Sequence, residues 1–374
     1  MRAIWLIFLP ALVYQLLAIA AALNHLRRRY TAPRRPQSFA PPVSILKPLR
    51  GLDPNTYDAF VSQAAQQYPE FELLFGVADQ SDPAVTEVSR LEQQFPAVRI
   101  RLIAGSEALA NGKVGVLARL AQYAQNPVWV VNDSDIRVNE RYLAEVVAPL
   151  AEEDVGVVTC LYRPRAHTLP ALWEALGIST DFMPSTLVAQ LIGVREFGLG
   201  STLAFRAQDL AQAGGFAAIG DYLADDYQLA KRITQNGKRA LLSTYTVETS
   251  LGDKTWSGSW QHQLRWARTI RASKGGGHAG LPFTQTSVWI VLALAIGAKS
   301  AAIALLIVRL LAAFLGGCLV LENPLMAALF WLAPLWDLYA FCIWLTSYGG
   351  REVRWRDRSL QIARDGRIVR NTGS

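Results

Sequence analysis

The stretch Val128-Trp-Val-Val-Asn-Asp-Ser-Asp135 decides how the middle of this chain folds. Its apolar run has no polar alternation, which fits a strand buried on both faces. The run breaks at Asn132 into three further polar residues, two of them acidic. Working outward, comparable apolar runs lie at 43–49, 71–79 (FELLFGVAD), 98–103 and 155–162. Segments 54–67, 83–94, 111–124 and 139–151 between them carry apolar residues at helical spacing. Strands alternating with helices predict an α/β domain over residues 43–280, with a mostly parallel sheet covered on both faces.

The ends of the chain read differently. Only 18% of the 374 residues are charged, against about 25% in ordinary soluble domains, and the apolar excess is concentrated at the two termini. Residues 3–23 are uncharged and long enough to cross a bilayer as a helix. A cleaved signal peptide is the alternative, but the run exceeds the usual apolar region of about 7–15 residues and no small-x-small site follows. Arg27, Arg28, Arg29, Arg34 and Arg35 come next, in a basic, proline-bearing linker over 24–42. Such a cluster places its side of the span in the cytoplasm. Residues 281–347 contain three more apolar stretches, 283–298, 300–320 and 325–347, from which two to three C-terminal transmembrane helices are expected. Lys299 is expected at a turn, because an ionisable residue in mid-bilayer is costly. Three crossings would put the tail, 348–374, outside; its arginines (Arg351, Arg354, Arg356, Arg358, Arg364, Arg367, Arg370) argue for inside. The apolar stretch 168–197 reads as either a buried core helix or a helix lying in the membrane interface.

The net charge of +7 sits largely in these two juxtamembrane clusters, where it favours anionic headgroups. No nucleic-acid partner is expected. Cys160, Cys318 and Cys342 share no metal-type spacing, so neither a disulfide framework nor a zinc site is expected.

Ligands of open α/β sheets bind at the carboxyl ends of the strands. Asp79 ends the second expected strand, and Asp133 and Asp135 end the fourth. Clustered carboxylates repel one another unless a cation or hydrogen-bond donors offset the charge. Two of them at i, i+2 across a tight turn suit a hard divalent ion, Mg²⁺ or Mn²⁺, which would also bind diphosphate oxygens. The alternative for any one of them is a helix cap or turn residue. Neither G-x-G-x-x-G nor G-x-x-x-x-G-K-[ST] follows the first strand, which counts against a dinucleotide oxidoreductase or a P-loop enzyme. Asp225-Asp226 precede a helix reaching about residue 235, where a carboxylate serves as a cap, a general base or both. In Trp260-Gln-His-Gln-Leu-Arg-Trp266, Arg265 has the chemistry to pair with a diphosphate and Trp266 to stack on a sugar or wall an acceptor pocket. A basic amphipathic helix beside the membrane fits the same residues.

The order of these elements, Asp79, Asp133-Ser-Asp135, Asp226 and Arg265-Trp266, resembles the D, D-x-D, (T/E)-D, (Q/R)-x-x-R-W series of membrane glycosyltransferases. Among these it is most similar to the ceramide glucosyltransferase family, glycosyltransferase family 21. Ser44-Ile-Leu-Lys-Pro-Leu-Arg-Gly-Leu-Asp-Pro54, Tyr68-Pro-Glu-Phe-Glu72, Asp82-Pro83, Asn111-Gly-Lys113 and Asp133-Ser-Asp-Ile-Arg-Val138 carry the likeness from about residue 43 to 273. His262 departs from it by standing at the first position of (Q/R)-x-x-R-W, and Asp225 replaces the usual Glu. The resemblance implies a GT-A fold and an inverting single displacement. It makes Asp226 the base and assigns Asp79, Asp133, Lys113 and Arg265 to the donor. It gives Asp135 to a Mg²⁺ or Mn²⁺ ion, and Trp266 with His262 to the wall of the site. The implied partners are a UDP-sugar, expected to be UDP-glucose, and a lipid acceptor such as ceramide. The implied setting is a multi-pass protein of a bacterial cell membrane with its catalytic domain in the cytoplasm. A hopanoid-associated enzyme using UDP-N-acetylglucosamine, a processive polysaccharide synthase and an inactive membrane scaffold are the competing readings. The synthase should have more spans, and the scaffold should have lost the acidic residues.

Overall fold

The sequence pattern of buried runs ending on acids is realised in a computed structural model that describes residues 2–31, 39–53, 55–355 and 358–369. Arg34, Arg35, Arg356 and Arg370 lie outside the described residues. The chain forms two compact units: residues 1–31, 163–194 and 251–369 make one, and 32–162, 195–250 and 370–374 the other.

The second unit holds a seven-stranded sheet. Its strands are β1 (Val43–Pro48), β2 (Phe71–Val77), β3 (Arg99–Ala104), β4 (Val128–Val131), β5 (Val155–Arg165), β6 (Leu203–Arg206) and β7 (Arg239–Ser250). They lie in the order β3-β2-β1-β4-β6-β5-β7. β1 is parallel to β2 and β4, and β2 to β3, whereas β6 is antiparallel to both β4 and β5. Five strands thus coincide with the five apolar runs. β6 and β7 were not expected: β6 is only four residues long, and β7 (RALLSTYTVETS) is half polar, as a strand at the edge of a sheet can be.

Alternation along each strand feeds two cores. Ile45, Leu73, Phe75 and Val130 face one, and Leu46, Leu74 and Val131 the other. Each such fully buried side chain stabilises the fold by about 1.5–3 kcal/mol, which is why these strands read as unbroken apolar runs. Gly76 of β2 lets the helix Gly112–Ala121 lie close: a Cβ there would come within 2.5 Å of Val116 Cγ1.

The other unit is built on apolar helices. Trp5–Thr31, Lys299–Val320 and Pro324–Ser347 are long and apolar enough to cross a membrane. Of the three expected C-terminal stretches the first becomes a helix of ten residues, Thr286–Ala295, about 15 Å long and short of the roughly 30 Å of a bilayer core. Lys299 begins a helix after a turn at Gly297, as its charge demanded. Small residues make up most of the buried cluster between these helices, Ala11, Ala293, Ala301 and Ala302 together with Phe8 and Leu305. At the other end of the first helix Arg29 donates to Val320 O and pairs with Glu322. The first helix therefore runs parallel to Lys299–Val320. The helix Pro324–Ser347 turns back after three residues, so the tail leaves the bundle at the end opposite Arg29. Stretch 168–197 becomes the helices Leu169–Gly177 and Met183–Leu191, joined through a π-helical turn, Ile178–Phe182. The tail forms a small antiparallel sheet, β8 (Glu352–Trp355), β9 (Arg358–Ile362) and β10 (Ile368–Val369).

Candidate active site

The acidic residues gather where parallel strands end. β4 stops at Val131, and the following turn presents Asp133 and Asp135. Lys113 is in the first turn of the helix Gly112–Ala121, whose start is capped by Asn111 accepting from Lys113 N and Val114 N. From there Lys113 Nζ reaches Asp133 Oδ1 at 2.8 Å and Asp225 Oδ2 at 3.1 Å. Burial works against the lysine charge, but Asp133 and then Asp225 outweigh it and push its pKa above the ordinary value. Asp226 opens the helix Asp225–Gln235; its Oδ2 accepts from Gly200 N at 2.9 Å and its Oδ1 from Tyr227 N at 2.7 Å. Burial first, and the charge of Asp225 second, raise the Asp226 carboxyl to about 6.

Asp135 lies deeper. Its Oδ2 accepts from the Thr249 hydroxyl and from Ser250 N. Burial, followed by the charge of Asp133, raises its pKa above the ordinary carboxylate value. Asp79 stands at the same edge of the sheet, two residues beyond β2, but its carboxylate accepts from Ser81 N at 2.7 Å and takes no part in the cluster about Lys113. Its pKa is lowered by that backbone hydrogen bond.

Two contributors had no expected role. Lys47 of β1 is completely buried, with Nζ donating to Asn132 Oδ1 at 2.7 Å and Asp133 O at 2.8 Å. Burial pulls its pKa down to about 7 against the charges of Asp135 and Asp133. It ties β1 to the acidic turn. The sequence signal was a lone lysine in an apolar strand. The loop 198–202 (Gly-Leu-Gly-Ser-Thr) is the other. Gly200 O accepts from Asp133 N at 3.2 Å while Gly200 N donates to Asp226. A Cβ on Gly200 would stand 2.9 Å from Asp133 Oδ2 and 3.6 Å from Asp226 Oδ2. Both carboxylates therefore border one small space that the glycine leaves open.

That space and the surplus of negative charge fit a divalent cation. Among the described residues no group of three or more His, Cys, Asp or Glu side chains forms a complete ligand set. Magnesium-type ions ordinarily take only one or two carboxylates and complete their shell with water and substrate phosphates.

Arg265, Trp266 and His262 lie in the other unit, on the helix Trp256–Ser273. The Trp266 ring is 5.1 Å from Phe182 and 4.9 Å from His262. All three side chains are half-buried.

The mixed sheet, with acids on the turns that follow its parallel strands, defines a GT-A-like fold. A mannosyltransferase from Pyrobaculum calidifontis, solved with GDP-Man and Mn²⁺, has a similar fold at a TM-score of 0.52 and 18% identity; the match covers 90% of this chain and 99% of that one. The model of the family described as "Glycosyl transferase family 21" matches residues 3–368, and the chain belongs to that family. Similar curated proteins include ceramide glucosyltransferase 1 of Caenorhabditis elegans, 28% identical over 240 residues, covering 62% of this chain and 50% of that protein. Ceramide glucosyltransferase 3 of the same organism is 26% identical over 251 residues, covering 66% and 54%. The chain thus spans about half the length of these relatives.

Proposed function

We propose that this protein is an inverting, membrane-held hexosyltransferase that moves glucose from UDP-glucose to the primary hydroxyl of ceramide or a similar membrane lipid. The observation that carries the reading is the meeting of Asp133, Asp225 and Asp226 about Lys113. It is supported by the family and by the ceramide-specific relatives. Asp226 takes the proton of the acceptor hydroxyl. The freed oxygen attacks the anomeric carbon as the bond to the diphosphate breaks, and UDP leaves with the electron pair. A carboxylate with a pKa near 6 suits this step: it is ionised at neutral pH and more basic than an ordinary aspartate. Asp133, Lys113 and Asp79 hold the donor, and the order of the motifs supports Arg265 at its diphosphate and Trp266 with His262 at the wall of the site.

A Mg²⁺ or Mn²⁺ ion held by Asp135 together with Asp133 would supply positive charge to the departing diphosphate. The mannosyltransferase of like fold was solved with Mn²⁺. Arg27, Arg28 and Arg29 at the C-terminal end of the first helix support a catalytic unit on the cytoplasmic side, and the three long apolar helices support a multi-pass membrane protein.

The test is transfer by purified protein in nanodiscs. Labelled UDP-glucose and UDP-N-acetylglucosamine would be offered against ceramide, diacylglycerol and hopanoid acceptors, with and without EDTA. Glucosylated ceramide should form, EDTA should stop it, and added Mg²⁺ or Mn²⁺ should restore it. N-acetylglucosamine on the hopanoid alone would replace this reading with the alternative one. Turnover undiminished by EDTA would remove the metal.

A further inference from the structure

A second polar cluster lies within the unit of apolar helices. Glu174, on the helix Leu169–Gly177, has a side chain that is 0% exposed. It accepts from Lys254 Nζ at 2.5 Å, from His262 Nδ1 at 2.6 Å and from Ser259 Oγ at 3.0 Å. Burial would raise its pKa, but the hydrogen bond and charge of His262 and then the charge of Lys254 outweigh it and hold the carboxyl at about 2. Burial pulls the His262 ring down to about 4, so at neutral pH the imidazole carries one proton.

The contacts say where that proton is. A ring nitrogen 2.6 Å from a carboxylate oxygen must bear a hydrogen, since two lone pairs would repel at that distance. Lys254 lies 3.2 Å from the same nitrogen but gives its proton to Glu174 Oε1. Nε2 is therefore the acceptor nitrogen. None of the described residues hydrogen-bonds to it, and the side chain remains 24% exposed. The ring itself leans on Trp266, which leans on Phe182. A fixed acceptor atom beside an aromatic wall suits a ligand with a polar head and an apolar body.

We propose that Glu174 and Lys254 lock His262 in its Nδ1–H form so that Nε2 accepts a hydrogen bond from an O–H or N–H of the lipid acceptor's head other than the hydroxyl that is glycosylated. This rests on the reading of the protein as a lipid glycosyltransferase. His262 then discriminates among lipids, and Glu174 and Lys254 are positioning residues.

The decisive variant is His262→Asn. The asparagine Nδ2 takes the place of Nδ1 and keeps the bond to Glu174, while Nε2 is lost. The KM for the lipid should rise roughly tenfold, the worth of one hydrogen bond, with kcat and the donor KM within about twofold. On the wild type, a lipid whose secondary hydroxyl and amide are methylated should show the same rise in KM, and His262→Asn should not worsen it; this arm stands even where the variant fails to fold. The ¹⁵N shifts of the His262 ring should report Nδ1–H in the wild type and lose that signature in Glu174→Gln. An unchanged lipid KM in His262→Asn with an active wild type, or an equal rise in donor KM, would overturn this assignment alone. A wild type that glycosylates no lipid would overturn the functional reading on which it rests.

Discussion

Asp226 shows how much one carboxylate's environment decides. Nothing in Leu-Ala-Asp-Asp-Tyr distinguishes a helix cap from a base. The fold buries the second aspartate beside Asp225, and burial before charge lifts its pKa to about 6. Activity requires the ionised form, so the transfer rate should climb about tenfold per pH unit below 6 and level off above it. Asp226→Asn should abolish transfer at every pH while donor binding persists, as isothermal titration would show. The same shift bears on stability with a definite sign. The folded chain holds this proton more tightly than the unfolded chain, whose aspartates titrate near 3.9. The group's contribution is therefore most favourable below about pH 4 and is lost as pH rises toward 6. Full activity in Asp226→Asn would exclude Asp226 as the base. Lys47 teaches the converse: its lysine is plain in the sequence, but only the register of β1 beside β4 brings its ammonium to Asn132 and Asp133.

At the scale of elements, the five apolar runs were legible because strands buried on both faces leave no polar alternation to misread. β7 was not legible because half its residues are polar, and the loop 198–202 was not because its function lies in its backbone. Gly200 gives one amide to Asp226 and one carbonyl to Asp133, and its missing side chain keeps their carboxylates open to a ligand. Gly200→Ala would put a methyl 2.9 Å from the tip of Asp133, an atom able to turn aside. The variant should fold with a Tm close to wild type and lose one to two orders of magnitude in kcat/KM for the nucleotide sugar, since displacement of about 1 Å costs that much. A Tm loss that matches the activity loss would instead make the glycine a packing residue.

Across the whole molecule, the charged residue in an apolar span finds its reason. Arg309 interrupts the helix Lys299–Val320 and is buried; its guanidinium meets Asp337 of the helix Pro324–Ser347 at 2.7 Å and donates to Thr180 O at 2.9 Å. Ser287 donates to the same aspartate through its amide and hydroxyl. The pair thus joins three helices and the π-helical turn. Removing one partner leaves an uncompensated buried charge, so Arg309→Met should destabilise the protein by about 3–5 kcal/mol. Adding Asp337→Leu should recover most of that loss, measured as thermal unfolding in detergent. A double variant no better than the single would show that the pair does not act as a unit.

The sequence by itself determined the alternating α/β order, the acids that follow β2 and β4, the apolar ends and, through its ordered motifs, the family. These are local or periodic features, and burial writes them into composition. The tertiary structure decided which acids meet. Asp133, Asp225 and Asp226 converge on Lys113, whereas Asp79 turns to Ser81. It also decided that Glu174, some 90 residues before His262, fixes the tautomer of that ring. Contacts between distant segments depend on how strands register and helices pack, and no short window of sequence contains that information.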